Sequence, residues 1–379
     1  MEVLLALHSV LLNICNVPVK NFIFLFPDKN FETGDIRTSV LKMEAAGDFP
    51  QFAELIVYGI YVGLGLCLLR FFLNDFILKP LGRFAMKQRK IKCTPVKALD
   101  DAFAVEKIIP AEKMPGLCKE TNMSEKEVKG YIKQRRIERL QNLRLYKFTE
   151  SWWRFLLYSA TTAAGIYVNY DKPWVEDIGQ YWVGYPLQVV PQDIKMYYLL
   201  EFGLYLNFFI FQFLDTKRKD FWEMFIHHIA TLLLIAFSYM TNFVRIGSMV
   251  LLLHDVSDIF LESAKILNYT KQARPIFSIP ADATFVAFAV VFFVSRLVLF
   301  PKRILYANLV DVLNYFEMHP TYYIWAALLL CLQFLHVFWF YLICRLIKKF
   351  VVDGIEKDER SVTESDISED EGDEKPKGE

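Results

Sequence analysis

Seven runs of about twenty mostly apolar residues constrain this chain more than any other feature. They lie near 52–74, 151–170, 196–214, 221–243, 246–269, 283–300 and 322–346. A bilayer core is ~30 Å thick and takes ~20 apolar residues per helix. Lipid also offers no partners to a strand edge, so spanning segments close their backbone hydrogen bonds within themselves as helices. The expected fold is an all-α polytopic membrane protein of about seven transmembrane helices. Composition agrees: 54% of residues are hydrophobic and 16% are Phe, Trp or Tyr, against ~45–50% apolar in an ordinary soluble domain.

Charge divides the chain further. Lys and Arg together number 43, as do Asp and Glu, but they avoid the apolar runs and gather in 79–150 and 351–379. The predicted organisation is a lumenal or interfacial amino-terminal segment (1–51), a first transmembrane helix (52–78), a basic cytoplasmic stretch (79–150), a membrane domain (151–350) and an acidic tail (351–379). Cationic loops stay in the cytoplasm. Lys79, Arg83, Lys87, Arg89, Lys90, Lys92, Lys133, Arg135, Arg136 and Arg139 therefore place 79–150 there, with Lys217, Arg218 and Lys219, and with Arg345, Lys348 and Lys349 at the end of the last span. The loop 171–195, holding only Lys172 and Lys195, goes to the far side, as does 301–321 despite Lys302 and Arg303. The carboxyl terminus is then cytoplasmic.

The first 26 residues are apolar, but without a basic leader or a small-residue cleavage site a cleaved signal is not expected. Six cysteines at irregular spacing suggest neither a disulfide framework nor zinc. The tail is polar and acidic, with Ser361, Thr363 and Ser368 each three residues before an acid, so phosphorylation is expected there. Asn122 and Asn268 match the glycosylation pattern but fall on the cytoplasmic side and should stay unmodified.

Residues 217–269 carry the chemistry. His227, His228, Thr231, Ser238 and Asn242 fall within an arc of roughly 100° on one helix, and His254, Asp255, Asp258, Glu262 and Lys265 within a similar arc on the next. A tight turn near 242–247 lets the two stripes face each other. His227 lies ten residues from Lys217, about 15 Å at ~1.5 Å per residue, which is well inside the membrane. A charge there costs roughly 2.5–3.5 kcal/mol on insertion scales, so such groups persist when paired, hydrated or required. For Glu262 and Lys265, near the cytoplasmic end, a bundle-locking ion pair is the expectation. For the histidines and Asp258 it is chemistry: imidazole takes protons or acyl groups, and a carboxylate orients it. The adjacent histidines lack the i, i+4 spacing of helical metal ligands, and no metal is expected.

The run from Lys217 to Tyr269, containing HHIAT, SYMTNFVRIG and LLLHDVSDIFLESAKILNY, resembles the signature of ceramide synthases within the TRAM–LAG–CLN8 family. The likeness continues in YKFTESWWRF (146–155) and LHVFWFYLI and covers roughly 125–370. It implies an endoplasmic reticulum enzyme that moves a fatty acyl group from acyl-CoA, a co-substrate, to a sphingoid base amine with no bound cofactor. It also implies a seven-helix bundle around a narrow acyl tunnel. By this resemblance His227 is the acyl acceptor, His228 and Asp258 handle and orient protons, and Asp255 supports them. Ser238, Asn242, Arg245, His254 and Glu262 face substrate, and Lys217, Arg218 and Lys219 meet the CoA phosphates. Partners are the two substrates and membrane lipid, and a homo- or hetero-dimer is compatible with the sequence. Residues 93–145 resemble a worn homeobox in which Tyr131-Ile132-Lys133-Gln134-Arg135-Arg136 lacks the adenine-reading Asn, so no nucleic acid is expected. The competing readings are a non-enzymatic relative that handles nascent chains or senses lipid, and a proton-relay transporter, though the inverted repeats and broken helices of the latter are not visible.

Overall fold

The structure is a computed structural model that describes residues 8–10, 12, 18–21, 23–26, 29–30, 34–88, 95–105, 113–215 and 219–353. Its main elements are helices: α1 (Ile36–Ala46), α2 (Phe52–Ala85), α3 (Lys97–Val105), α4 (Met114–Thr121), α5 (Glu125–Asn169), α6 (Gln192–Leu214), α7 (Phe221–Met240) and α8 (Val244–Lys271). Helix α9 begins as Ser278–Phe292 and runs on through Phe293–Leu305 and Tyr306–Leu309, and α10 is Pro320–Asp353. A two-residue antiparallel pairing, Lys29–Asn30 with Gly34–Asp35, precedes α1.

Among the described residues, five helices are long and apolar enough to cross a membrane: α2, α6, α7, α9 and α10. The other two runs read from sequence lie inside α5 and α8, which are too polar by composition because they carry the inward-facing groups. Helix α8 occupies the middle, packed on α5, α9, α6 and α7. Helix α2 meets α6 where Gly203 lies so close that an added Cβ would stand 2.5 Å from Val62 Cγ1 and 2.9 Å from the Gly59 carbonyl oxygen. Such small-residue contacts are how apolar helices associate in lipid.

Both ends of the bundle are defined by contacts. At one end Arg303 Nη1 donates to the Glu176 carbonyl (2.7 Å) and Trp182 Nε1 to Asp311 (2.9 Å), so 301–321 sits on the same side as 171–195. The amino-terminal segment packs there too, with Thr321 Oγ1 donating to the Leu25 carbonyl at 2.5 Å. Trp182, Tyr185, Phe243, Phe316 and Trp325, all nearly fully buried, interlock as an aromatic plug. At the other end Arg274 reaches the Phe84 and Ala85 carbonyls, and Asp215 gathers Arg70 (2.7 Å), Tyr146 (2.6 Å) and Arg154 (3.4 Å).

Three features differ from expectation. The first helix continues to Ala85 because a π turn, Asn74–Leu78, absorbs the carbonyl that Pro80 cannot bond. Likewise 301–309 is helix rather than loop: a π-wound stretch, Phe293–Leu305, carries Pro301 without ending the helix. The turn between α7 and α8 is only Thr241–Phe243, with Asn242 at φ 60, a left-handed conformation that Asn tolerates.

The basic segment is folded where it is described. Helices α3, α4 and the start of α5 pack around Leu99, Met114, Val128 and Tyr131, a three-helix arrangement in keeping with the homeobox likeness. Ser124 and Glu127 form a capping box that starts α5. The Tyr131 hydroxyl, donating to Asp100 at 2.7 Å, holds that carboxyl below its ordinary value, with Arg135 assisting at 2.8 Å. Helix α5 then runs 45 residues, about 68 Å at ~1.5 Å per residue, from this unit into the bundle without a break.

Candidate active site

Helices α7 and α8 bring their polar stripes together at mid-bundle. His227 is 7% exposed, and its ring is held by other rings: Trp339 at 5.3 Å between centroids, His228 at 5.7 Å, His254 at 6.3 Å and Tyr205 at 6.4 Å. Its Nδ1 is buried with no hydrogen-bond partner among the described residues, as are Thr231 Oγ1, Trp339 Nε1 and His336 Nδ1. Buried polar atoms are nearly always paired. Several orphans around one imidazole mark a place built to receive a polar group.

The neighbouring imidazoles are locked in definite tautomers. The Gln212 amide donates to the Phe221 carbonyl (2.8 Å), so its oxygen faces His228, whose Nδ1–H donates to it at 2.6 Å. Nδ1–H of His254 donates to the Val250 carbonyl at 2.6 Å, which makes Nε2 of neutral His254 an acceptor, and His336 Nε2–H donates to it at 2.9 Å.

The acids pair elsewhere. Asp258 accepts from Arg296 Nη2 (2.9 Å), and the same nitrogen donates to the His254 carbonyl (2.6 Å). Asp255 accepts from Thr161 and, at 3.4 Å, from Tyr205. Neither forms a hydrogen bond to His227 among the described residues. Glu262 is ion-paired with Lys265 at 2.7 Å, the pairing expected from the sequence, but as an i, i+3 contact it lies within α8 rather than between two helices.

A narrow cavity opens beside this cluster. His254, Thr231 and Tyr205 line its inner end, and Leu234, Ile235, Val250 and Leu251 its apolar walls. Trp325 of the aromatic plug also lines it. His227 does not itself line the cavity, but Thr231, one turn on along α7, and His254, whose ring stands 6.3 Å from that of His227, both do. Ser238 lines it as well and donates to Tyr198 (2.8 Å).

Asn242 and Arg245, expected to face substrate, serve the loop: Asn242 Nδ2 donates to the Pro186 and Gln188 carbonyls (2.6 and 2.7 Å), and Arg245 to that of Gln180 (2.7 Å). Lys219 is exposed at the opposite end. Lys217, Arg218, Ser361, Thr363 and Ser368 lie outside the described residues. Sequence reasoning missed Glu201, Arg296 and His336. Each stands as a lone ionisable residue in an apolar run (YYLLEFGLY, FFVSRLVLF, LQFLHVFWF), and intramembrane ionisable residues are site candidates by default.

Residues 147–345 match the model of the TLC domain, TRAM_LAG1_CLN8. The chain is 36% identical to "Ceramide synthase 3" of Mus musculus over 79% of its own length and 77% of the relative's. It is 38% identical to "Ceramide synthase 4" of Homo sapiens over 85% and 81%, and 36% identical to "Ceramide synthase LOH2" of Arabidopsis thaliana over 59% and 76%. The chain belongs to the ceramide synthase family. Every element of the histidine cluster, from α5 to α10, lies within or overlaps the matched TLC domain, while the three-helix unit precedes it.

Proposed function

We propose that the chain, as a ceramide synthase, takes its acyl group from acyl-CoA and holds it on His227 before passing it to a sphingoid base. The observation carrying this reading is a buried imidazole with orphan polar neighbours, one of which, Thr231, lines an apolar cavity. In the first half-reaction a lone pair of the His227 ring attacks the thioester carbonyl. A carbon–nitrogen bond forms, the carbon–sulfur bond breaks, and the ring's N–H proton leaves with the CoA thiolate, giving a neutral acyl-imidazole and free CoA. His228, 5.7 Å away with its Nδ1–H committed to Gln212, carries the proton between them. The Arg296–Asp258 pair holds the His254 end of α8 in place. The apolar cavity receives the fatty chain, and the chemistry needs no bound cofactor.

The cationic segments on one side and the sparsely charged loops on the other support an orientation with the carboxyl terminus in the cytoplasm. That orientation puts Lys219 on the side from which acyl-CoA arrives, and the family's chemistry supports residence in the endoplasmic reticulum membrane. Membranes carrying the protein are expected to convert acyl-CoA and sphinganine to the N-acylated product, and His227→Ala to abolish this. Acyl-CoA alone should add one acyl mass to the wild-type protein and none to His227→Ala. Full product formation by the variant refutes a role for His227, and turnover without any adduct refutes the covalent step.

A further inference from the structure

Glu201 lies on α6 with its carboxyl fully buried, and among the described residues neither oxygen has a donor in good hydrogen-bond geometry, Tyr197 and Asp255 being the polar groups against it. It packs against Asp255, also 0% exposed, from α8. Among the described residues no Lys or Arg forms an ion pair with either acid: Arg296 is committed to Asp258 and Arg154 to Glu150 and Asp215. Two carboxyl groups in contact at membrane depth, one of them without a well-aligned donor and neither with a cation, are costly unless a cation or donor joins them.

The pair borders the working cavity. Tyr198, Glu201 and Tyr205 follow one another at i, i+3 and i+7, one face of α6, and both tyrosines line the cavity. On α8, Asp255 is one turn from Leu251 and adjacent to His254, which line it too. Tyr205 bridges the two centres: its hydroxyl donates to Asp255 at 3.4 Å and its ring stands 6.4 Å from that of His227.

We propose that Glu201 and Asp255 seat the ammonium group of the sphingoid base, the acceptor in the second half-reaction. A primary ammonium brings three N–H donors, enough for both orphan oxygens of Glu201 and one of Asp255. This rests on the acyl-imidazole reading for its timing but not for its binding chemistry. One ammonium proton passes to the carboxylate pair, and the free amine attacks the acyl carbon on His227. The new carbon–nitrogen bond forms as the bond to imidazole breaks, and the second amine proton goes to the departing ring nitrogen. The amide keeps one N–H, His227 returns neutral, and the carboxyl releases its proton to solvent.

The test is equilibrium binding to the purified full-length protein in detergent, with sphinganine and its neutral N-acetyl derivative as probes. Glu201→Gln keeps the shape and removes the charge. Losing one partner of a buried charge contact weakens binding by about 30-fold or more. The expected result is that loss for sphinganine alone, with N-acetylsphinganine affinity unchanged and the acyl adduct still formed from acyl-CoA. Unchanged sphinganine affinity, or equal loss of both probes, overturns the proposal. If wild-type protein forms no adduct, the covalent mechanism fails while the binding comparison still decides the ammonium seat. Should Glu201→Gln not fold, Glu201→Asp, which withdraws the carboxyl by one methylene, is read the same way. Displacement of sphinganine by lysophosphatidylethanolamine at equal concentration reassigns the seat to lipid headgroups and overturns the sphingoid assignment.

Discussion

Replacing Arg296 with Met is expected to destabilise the protein by about 3–5 kcal/mol, the usual cost of leaving one member of a buried ion pair alone. The side chains are 5% and 18% exposed, so solvent cannot stand in for the missing guanidinium. Asp258 would keep its carboxylate in the bundle with its nearest cation gone, and the His254 carbonyl would lose its extra donor. Such a loss takes a large part of a total stability of about 5–15 kcal/mol. The double variant Arg296→Met, Asp258→Leu removes both charges and should recover most of it. The double-mutant cycle should then return a coupling of about 2–3 kcal/mol. Unfolding of the purified full chain in detergent, followed by thermal and denaturant titration, measures each corner. The double variant should remain inactive despite its recovered stability, since it no longer holds His254. If Arg296→Met costs less than about 1 kcal/mol, or the double variant is no more stable than the single, the pair is not the buried brace described above.

Two further perturbations follow. At Gly247 an added Cβ would stand 1.9 Å from the Tyr198 hydroxyl and 3.0 Å from Ser238 Oγ, so Gly247→Ala should drive Tyr198 into the cavity. It should cost about 1–3 kcal/mol and sharply reduce product yield while leaving the three-helix unit's proteolytic pattern unaltered. At the far end, burial holds the His319 imidazole below its ordinary value. A base whose folded value is depressed takes its proton more readily when unfolded, so stability falls as pH drops below about 6.5 and is fully present above it. Thermal midpoints from pH 5 to 8 should show that slope in the wild type and a shallower one in His319→Gln.

How much was legible depended on whether a signal was local. The helices were, because apolar length alone defines them, although 151–170 and 246–269 proved to be the more polar interior of α5 and α8. The histidine pair and the His254–Asp255–Asp258 stripe were readable from helical periodicity. Their partners were not, because pairing is tertiary. Nothing along the chain says that Asp258 meets Arg296 from α9 rather than a histidine, or that His254 meets His336, 82 residues away. Asn242 and Arg245 are expected from sequence to face substrate with the histidines, but Asn242 falls in the α7–α8 turn and Arg245 in the first turn of α8, at the end where the 171–195 loop docks. Pro301 suggested a helix end, and only π winding, which sequence pattern does not encode, carried the chain past it.

The aromatic plug of Trp182, Tyr185, Phe243, Phe316 and Trp325 turns the cavity into a cul-de-sac. Under the mechanism proposed above, a fatty tail that entered could not pass straight through, so it would back out or slip sideways between helices. Traffic would then run in sequence: spent carrier would clear the doorway before the second reactant approached, and the finished lipid would be handed to the surrounding bilayer rather than to water beyond.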